Sequence, residues 1–140
     1  MNPENNSHLL ERPRIGILVA NRANGSALGL PVWFEWDGTT LRIIASRESH
    51  KVRRLRQDPR ASLLVTNDVG EPEAWLAFDG ELKLADEGGG DLALRLAERY
   101  WDLDDPGRAA RLVRIEAVFV GDRGKFRLSS DSGEKPRDFW

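Results

Sequence analysis

Residues 43–65 read IIASRESHKVRRLRQDPRASLLV. An apolar strand-like run ends at Ser46, and the apolar period then changes. Across Ser49–Asp58 the apolar positions Val52 and Leu55 are spaced i, i+3, which predicts a helix of about three turns. Pro59 stops it, and a strand resumes over Ala61–Thr66. Ser46 or Ser49 is placed to cap the helix. Its first turn holds Ser49, His50 and Lys51, and Arg53, Arg54 and Arg56 come next.

A helix start directly after a strand favours an anion, because first-turn amides lack helical partners and the dipole end is positive. Hydroxyls of Ser46 and Ser49 can donate to a phosphate, Lys51 supplies a point charge, and an arginine adds a bidentate fork. The same spacing also fits an ordinary serine cap with a solvated basic face. His50 as an acid or base, and Arg53–Arg60 as a nucleic-acid face, are weaker readings. The basic run lacks the interleaved aromatic residues that stack on bases.

Outward from this segment the pattern is β. Arg14–Asn21 is a strand with Ile15, Ile17 and Val19 on one face. Asn24-Gly25 predicts a hairpin turn into Ala27–Trp36, where Leu28, Leu30, Val32, Phe34 and Trp36 share a face. Pro31 inside that strand predicts an edge or a bulge. Asp37-Gly38 turns the chain into Leu41–Ser46. After the helix and the fourth strand, Glu73–Ala85 is a long strand bent near Asp79-Gly80. Asp91–Trp101 is an amphipathic helix with Leu92, Ala93, Leu96, Ala97 and Tyr100 inward. Arg111–Val120 is the last long strand, and Lys125–Ser129 an optional short one. Residues 1–13 are expected to be polar and frayed, with a short helical turn around His8–Glu11, 14–129 to form one domain, and 130–140 a polar tail. Trp33, Phe34 and Trp36 cannot all face one core. Six hairpin-connected strands and two helices predict a mainly β chain, a small antiparallel barrel capped by helices.

The composition narrows function. A chain of 140 residues supports one core and not two domains. With no cysteine and two histidines, thiolate sites, disulfides and a Ser-His-Asp triad lack their residues, and no metal site is expected. Net charge −2 argues against a dedicated nucleic-acid binder. No apolar run approaches the roughly 20 residues that cross a bilayer, and no signal peptide is apparent, so a cytoplasmic protein is expected.

Taken in order, RIGILVAN, the Asn24-Gly25 turn, LGLPVWFEWDG, LRIIAS, SHKVRRLRQDPRASLLV, WLAFDGEL, LALRLAERYWD and RLVRIEAVFV resemble the flavin-binding proteins related to pyridoxamine 5'-phosphate oxidase, over Arg14 to Val120. The resemblance implies a six-stranded antiparallel split β-barrel with two helices, Greek-key-like, forming a homodimer with two cofactors at the interface. It implies FMN as cofactor, or alternatively the 8-hydroxy-5-deazaflavin coenzyme. The ring would lie along Gly29, Leu30, Pro31 and Val32 and along Ile44, Ala45 and Ser46. Ser49 and Lys51 would hold the phosphate, with His50 and Arg54 beside them, and Trp75 would wall the cleft, from the second subunit.

The chain departs from the oxidase itself. Gly29 stands where the oxidase has a basic residue, no lysine lies near Phe34, and Lys125–Trp140 lacks a match to its substrate-binding arginine and histidine. The pattern is closer to short members of the superfamily. The implied function is hydride transfer between a bound flavin and a small organic substrate, with the cofactor carrying the chemistry and no catalytic side chain assigned. Backbone donors near Pro31–Val32 would stabilise charge on the reduced ring. A deazaflavin-dependent reductase, or a non-catalytic cofactor- or tetrapyrrole-binding module, is the alternative.

Overall fold

The computed structural model describes residues 3–45, 49–85, 87–101, 117–122 and 127–131. The Asn24-Gly25 and Asp37-Gly38 signals become turns. Gly25 and Gly38 adopt φ of 88° and 98°, a region that a side chain disfavours. Asn24 Oδ1 accepts from the Ser26 amide at 3.0 Å, and Asp37 Oδ1 from the Thr39 and Thr40 amides at 2.8 and 2.7 Å. These turns join β1 (Gly16–Asn21) to β2 (Ala27–Val32), and β3 (Phe34–Trp36) to β4 (Thr40–Ala45).

Helix α1 (His50–Gln57) leads through Asp58-Pro59 into β5 (Arg60–Thr66). Then come β6 (Trp75–Glu81), β7 (Lys83–Ala85), α2 (Gly89–Tyr100), β8 (Ala117–Asp122) and β9 (Arg127–Asp131). The strands form two antiparallel sheets, in orders β2-β1-β5-β6-β9 and β3-β4-β8-β7.

The expected mainly β fold of antiparallel strands with two helices is present, and the strand count is what changes. Nine strands lie among the described residues, and their two ladders do not close into one barrel there. Two of the expected strands each break in two, at Trp33 and at Leu82, where the chain passes from one sheet to the other. The long fifth strand therefore breaks at Leu82 rather than bending at Asp79-Gly80. The optional strand becomes β9, so pairing runs on to Asp131, into the expected tail. Residues 111–116, 132–140 and Ser46 lie outside the described residues.

The main core fills the space between the sheets. Leu18, Phe34, Leu41, Ile43, Leu63, Val65, Leu76 and Phe78 are all buried there, joined by Val52 and Leu55 from α1. In β1 and the residue before it, the face shared by Ile15, Ile17 and Val19 is the outer one, with Ile15 50% and Ile17 36% exposed, while Leu18 and Ala20 face inward. The second sheet is covered on its other side by α2, whose Leu92, Leu96, Ala93 and Ala97 pack near Trp33 and Ile44. Trp33 stacks on Tyr100 at 5.0 Å, so Trp33 and Phe34 serve opposite faces.

The segment expected to fray docks instead. Pro3–Leu10 forms a 3-10 stretch with Leu9 fully buried, and Asn6 Nδ2 donates to the Trp75 carbonyl at 2.9 Å. Two apolar residues among polar ones give no periodicity to read. Buried Arg14 fastens the chain just beyond this stretch. It donates to both Glu71 carboxylate oxygens at 2.6 and 3.1 Å, and its carbonyl accepts from the Tyr100 hydroxyl at 2.7 Å.

The Arg14 guanidinium holds the Glu71 carboxyl down to about 2, from an ordinary value of 4.5. A carboxyl depressed in the folded state adds stability above its unfolded pKa, and that stability is lost as pH falls through the folded pKa. Asp37 and Asp58 are likewise held well below the carboxylate range, chiefly by hydrogen bonds from Arg42 and Arg60. Thermal stability is therefore expected to fall as pH drops from about 4.5 towards 2. Glu71→Gln should make that fall shallower without flattening it. Melting curves at stepped pH check this, and identical slopes in both proteins would refute it.

Candidate functional site

A cavity of about 710 Å³ opens between the β1–β2 hairpin and α1. Arg22 and Ala23 form its hairpin wall, Leu28 and Leu30 its apolar floor. Ser49, Arg53, Arg54 and Gln57 form its helix wall. The volume falls within the range of sites for whole small-molecule ligands, and an apolar floor with a few polar groups is their usual lining.

Local chemistry explains each wall. Ser49, rather than Ser46, is the observed N-cap, with extended backbone and an Oγ that accepts from the Val52 amide at 3.2 Å. Accepting leaves the hydroxyl hydrogen available to donate elsewhere. Val52 and Leu55 bury one side of α1, which leaves Arg53, Arg54 and Gln57 to the cavity. Arg54 Nη1 donates to Gln57 Oε1 at 2.7 Å, and its buried Nε has no hydrogen-bond partner. Arg22 Nη1 donates to the Ala27 carbonyl at 2.7 Å across its own turn. A shallower hollow of about 380 Å³ beside Asn21 and Ser62 is less suited to a charged ligand. Its Arg60 is already paired with Asp58 at 2.9 Å, and its Ser62 hydroxyl donates to Asp79 at 2.5 Å.

The cavity brings together three of the residues expected at a site, Leu30, Ser49 and Arg54. Gly29 and Pro31 pair with Val19 and Ile17 on the outer face of β1–β2, and Val32 and Ala45 are buried in the core. For Val32 and Ala45, only backbone atoms remain to meet a ligand. Ile44 packs beneath α2, turned away from the core. His50 and Lys51 occupy the first turn of α1. Their side chains, like Ser46, lie outside the described residues. Trp75 pairs with Thr66 at the far end of β5–β6 and does not reach the cavity of its own chain.

Sequence reasoning missed Arg22, Ala23, Leu28 and Gln57 as lining residues, and named Arg53 only as part of the basic run. The period-two run Leu28, Leu30 carried a signal for the floor. Nothing in the sequence says that the hairpin containing Arg22 faces α1. Among the described residues, no group of three histidine, aspartate or glutamate side chains is placed to hold a metal. No described helix is long and apolar enough to cross a membrane.

The sequence pattern of pyridoxamine 5'-phosphate oxidase matches residues 3–120. The chain belongs to this family. Solved structures agree in fold. An F420 reductase is 27% identical, with TM-score 0.72, over 88% of this chain and 94% of that one. A conserved hypothetical protein from Mycobacterium tuberculosis is 22% identical, with TM-score 0.72, over 96% and 86%. A FAD- and heme-binding protein from Mycobacterium smegmatis is 20% identical, with TM-score 0.70, over 96% and 72%. No curated protein sequence matches the chain. Ser49 caps the helix, and it does so at the mouth of a cavity.

Proposed function

We propose that this family member is a flavin-binding oxidoreductase, with FMN as cofactor and a small organic molecule as substrate. One observation carries the reading: in a chain of this family, β2 and the start of α1 meet at one cavity with an apolar floor and a cationic wall. The residues fit a phosphate-bearing ring. The Ser49 hydroxyl donates to the phosphate, the first-turn amides of His50 and Lys51 point the same way, and Lys51 and Arg54 balance the charge. Edge strand β2 offers unpaired backbone groups along Gly29–Val32, and since Pro31 has no N–H, the Val32 amide is the donor beside it. When bound, the flavin supplies reversible hydride uptake. The protein binds it, orients it and excludes water from one face.

Two chains form a homodimer through the outer face of the five-stranded sheet. Ile17 stands in register with Pro31 on one side and Leu64 on the other, and Ile15 is half exposed beside them. Trp75 lies on this same face, which fits its walling the cleft of the opposite chain. The 27% identity to an F420 reductase favours a second reading, in which the cofactor is the 8-hydroxy-5-deazaflavin coenzyme.

The test is the visible spectrum of the purified protein, followed by separate titrations with FMN and the deazaflavin. Saturable FMN binding, reduction by a nicotinamide donor and reoxidation by an added acceptor support the enzyme. Binding without turnover makes the chain a cofactor carrier. Lys51→Ala is expected to weaken FMN binding about tenfold while leaving the melting temperature nearly unchanged. Unaltered affinity would remove Lys51 from the phosphate site.

A further inference from the structure

Helix α1 and the β1–β2 hairpin are separate elements, so the width of the cavity between them depends on what holds one to the other. Each wall is braced by itself. In the hairpin, the Arg22 amide donates to the Ser26 carbonyl at 2.7 Å and the Gly25 amide to the Arg22 carbonyl at 2.9 Å. In the helix, Val52 and Leu55 are seated in the main core. A hydrogen bond then joins the two walls: Asn21 Nδ2 donates to Asp58 Oδ2 at 3.3 Å. Asn21 ends β1 immediately before the wall residues Arg22 and Ala23, and Asp58 immediately follows the wall residue Gln57.

Other contacts aim the Asp58 carboxylate. Arg60 Nε donates to Oδ1 and Arg60 Nη2 to Oδ2, each at 2.9 Å, and the Arg60 amide donates to Oδ1 at 3.2 Å. This fork fixes the plane of the carboxylate, with Oδ2 shared between Arg60 and Asn21. The backbone on either side is fixed as well. The Asp58 amide donates to the Arg54 carbonyl at 2.9 Å and closes the last turn of α1. The Pro59 carbonyl accepts from the Leu82 amide at 2.8 Å, where the chain crosses between the sheets. Asp58 is thus anchored to the helix, to β5 and to that crossing, and it reaches the hairpin from there. Its side chain is 16% exposed and that of Arg60 72%, and a pair this open to water adds little to folding stability. What the arrangement secures is the placement of one wall against the other.

We propose that Asp58 is a positioning residue for the cavity: through Asn21 it sets the spacing between the hairpin and α1, so that the polar groups of α1 and the apolar floor of β2 engage one ligand together. This rests on the cofactor reading above and adds to it a residue that is not among those lining the cavity.

The experiment measures wall spacing and ligand binding separately. The chain has no cysteine, so Ala23→Cys and Arg56→Cys place one spin label on each element, both at exposed positions. Pulsed electron double resonance reads the distance between the labels in four backgrounds: the parent, Asn21→Ala, Asp58→Ala, and the exchanged pair Asn21→Asp with Asp58→Asn. The exchanged pair keeps a donor facing an acceptor in reversed order. FMN titrations and melting curves are run on the same backgrounds without labels. The distance distribution should be narrow in the parent, broader in each alanine variant and narrow again in the exchanged pair. FMN affinity should fall about tenfold in the alanine variants and recover most of that loss in the exchanged pair, with melting temperatures little changed. Should Asp58→Ala fail to fold, Asn21→Ala carries the test, because it removes the cross-wall donor and leaves the Asp58–Arg60 pair in place. An unchanged distribution in Asn21→Ala overturns the proposal, and so does a broader one with unaltered FMN affinity. If only the deazaflavin binds, it takes the place of FMN in the titrations. If neither cofactor binds the wild type, the cofactor reading falls by itself. The labels then decide: a broader distribution in Asn21→Ala upholds the spacing role of Asp58, and an unchanged one overturns it.

Discussion

Phe34→Ala is expected to remove about 3–5 kcal/mol of folding stability, the usual cost of emptying a buried phenyl site. Phe34 is 1% exposed and sits in the main core, just past the point where the chain leaves one sheet for the other. Its loss opens a cavity that both sheets line, and neither sheet can move in alone. Set against a total of about 5–15 kcal/mol, the melting temperature should fall by on the order of 10 °C. Urea unfolding measures it, with the midpoint moving and the slope unchanged. Gly16 provides a cross-check. A Cβ there would come within 2.9 Å of Leu63 Cδ1 and 3.1 Å of Phe34 Cδ1. Gly16→Ala should therefore destabilise the wild type by about 1–3 kcal/mol and the Phe34→Ala protein by less. A loss below about 1 kcal/mol for Phe34→Ala would contradict the core assignment.

Ile17→Glu is expected to separate the proposed dimer into folded monomers. Ile17 sits on the outer face, 36% exposed in the single chain, with Pro31 and Leu64 as its cross-strand neighbours. In the isolated chain the substitution places a carboxylate on a surface that water reaches, so the fold should survive. In a dimer it buries that charge, twice, against apolar side chains, which is costly without a partner. The dissociation constant should rise at least about a hundredfold, roughly 2.7 kcal/mol. Sedimentation velocity at several concentrations reads this directly. Cofactor affinity should fall with dimer content, because the cleft wall assigned to Trp75 comes from the second chain. A variant that remains dimeric would move the interface elsewhere, and a monomeric wild type would remove the homodimer from the reading.

The uneven legibility of this chain has physical causes. Helix α1 was readable because its signals are local: a serine cap, an i, i+3 apolar pair and a terminating proline lie within about a dozen residues. The two hairpin turns were readable for the same reason, since Asn-Gly and Asp-Gly meet a backbone demand that few residues satisfy. The strand breaks at Trp33 and Leu82 were not readable. Both residues continue an acceptable strand composition, and what ends the strand there is a change of hydrogen-bonding partner, set by segments distant in sequence. The docking of Pro3–Leu10 was not readable because this stretch packs against β6 and β9, more than 60 positions away.

By itself the sequence determined the antiparallel β character, the two helices, a serine cap at Ser46 or Ser49, an edge or bulge at Pro31 and the resemblance to the family. These come from short-range backbone preference and from the order of motifs. Only the tertiary structure decided which face of β1 is buried, because Ile17 and Leu18 are equally apolar and alternation alone does not label inside and outside. Only it placed Arg22 across from Arg54, on elements whose approach depends on how β1 pairs with both β2 and β5. Local spacing fixes what a segment forms. Which charges end up facing each other is fixed by packing between segments, and the cavity beside α1 is a product of that packing.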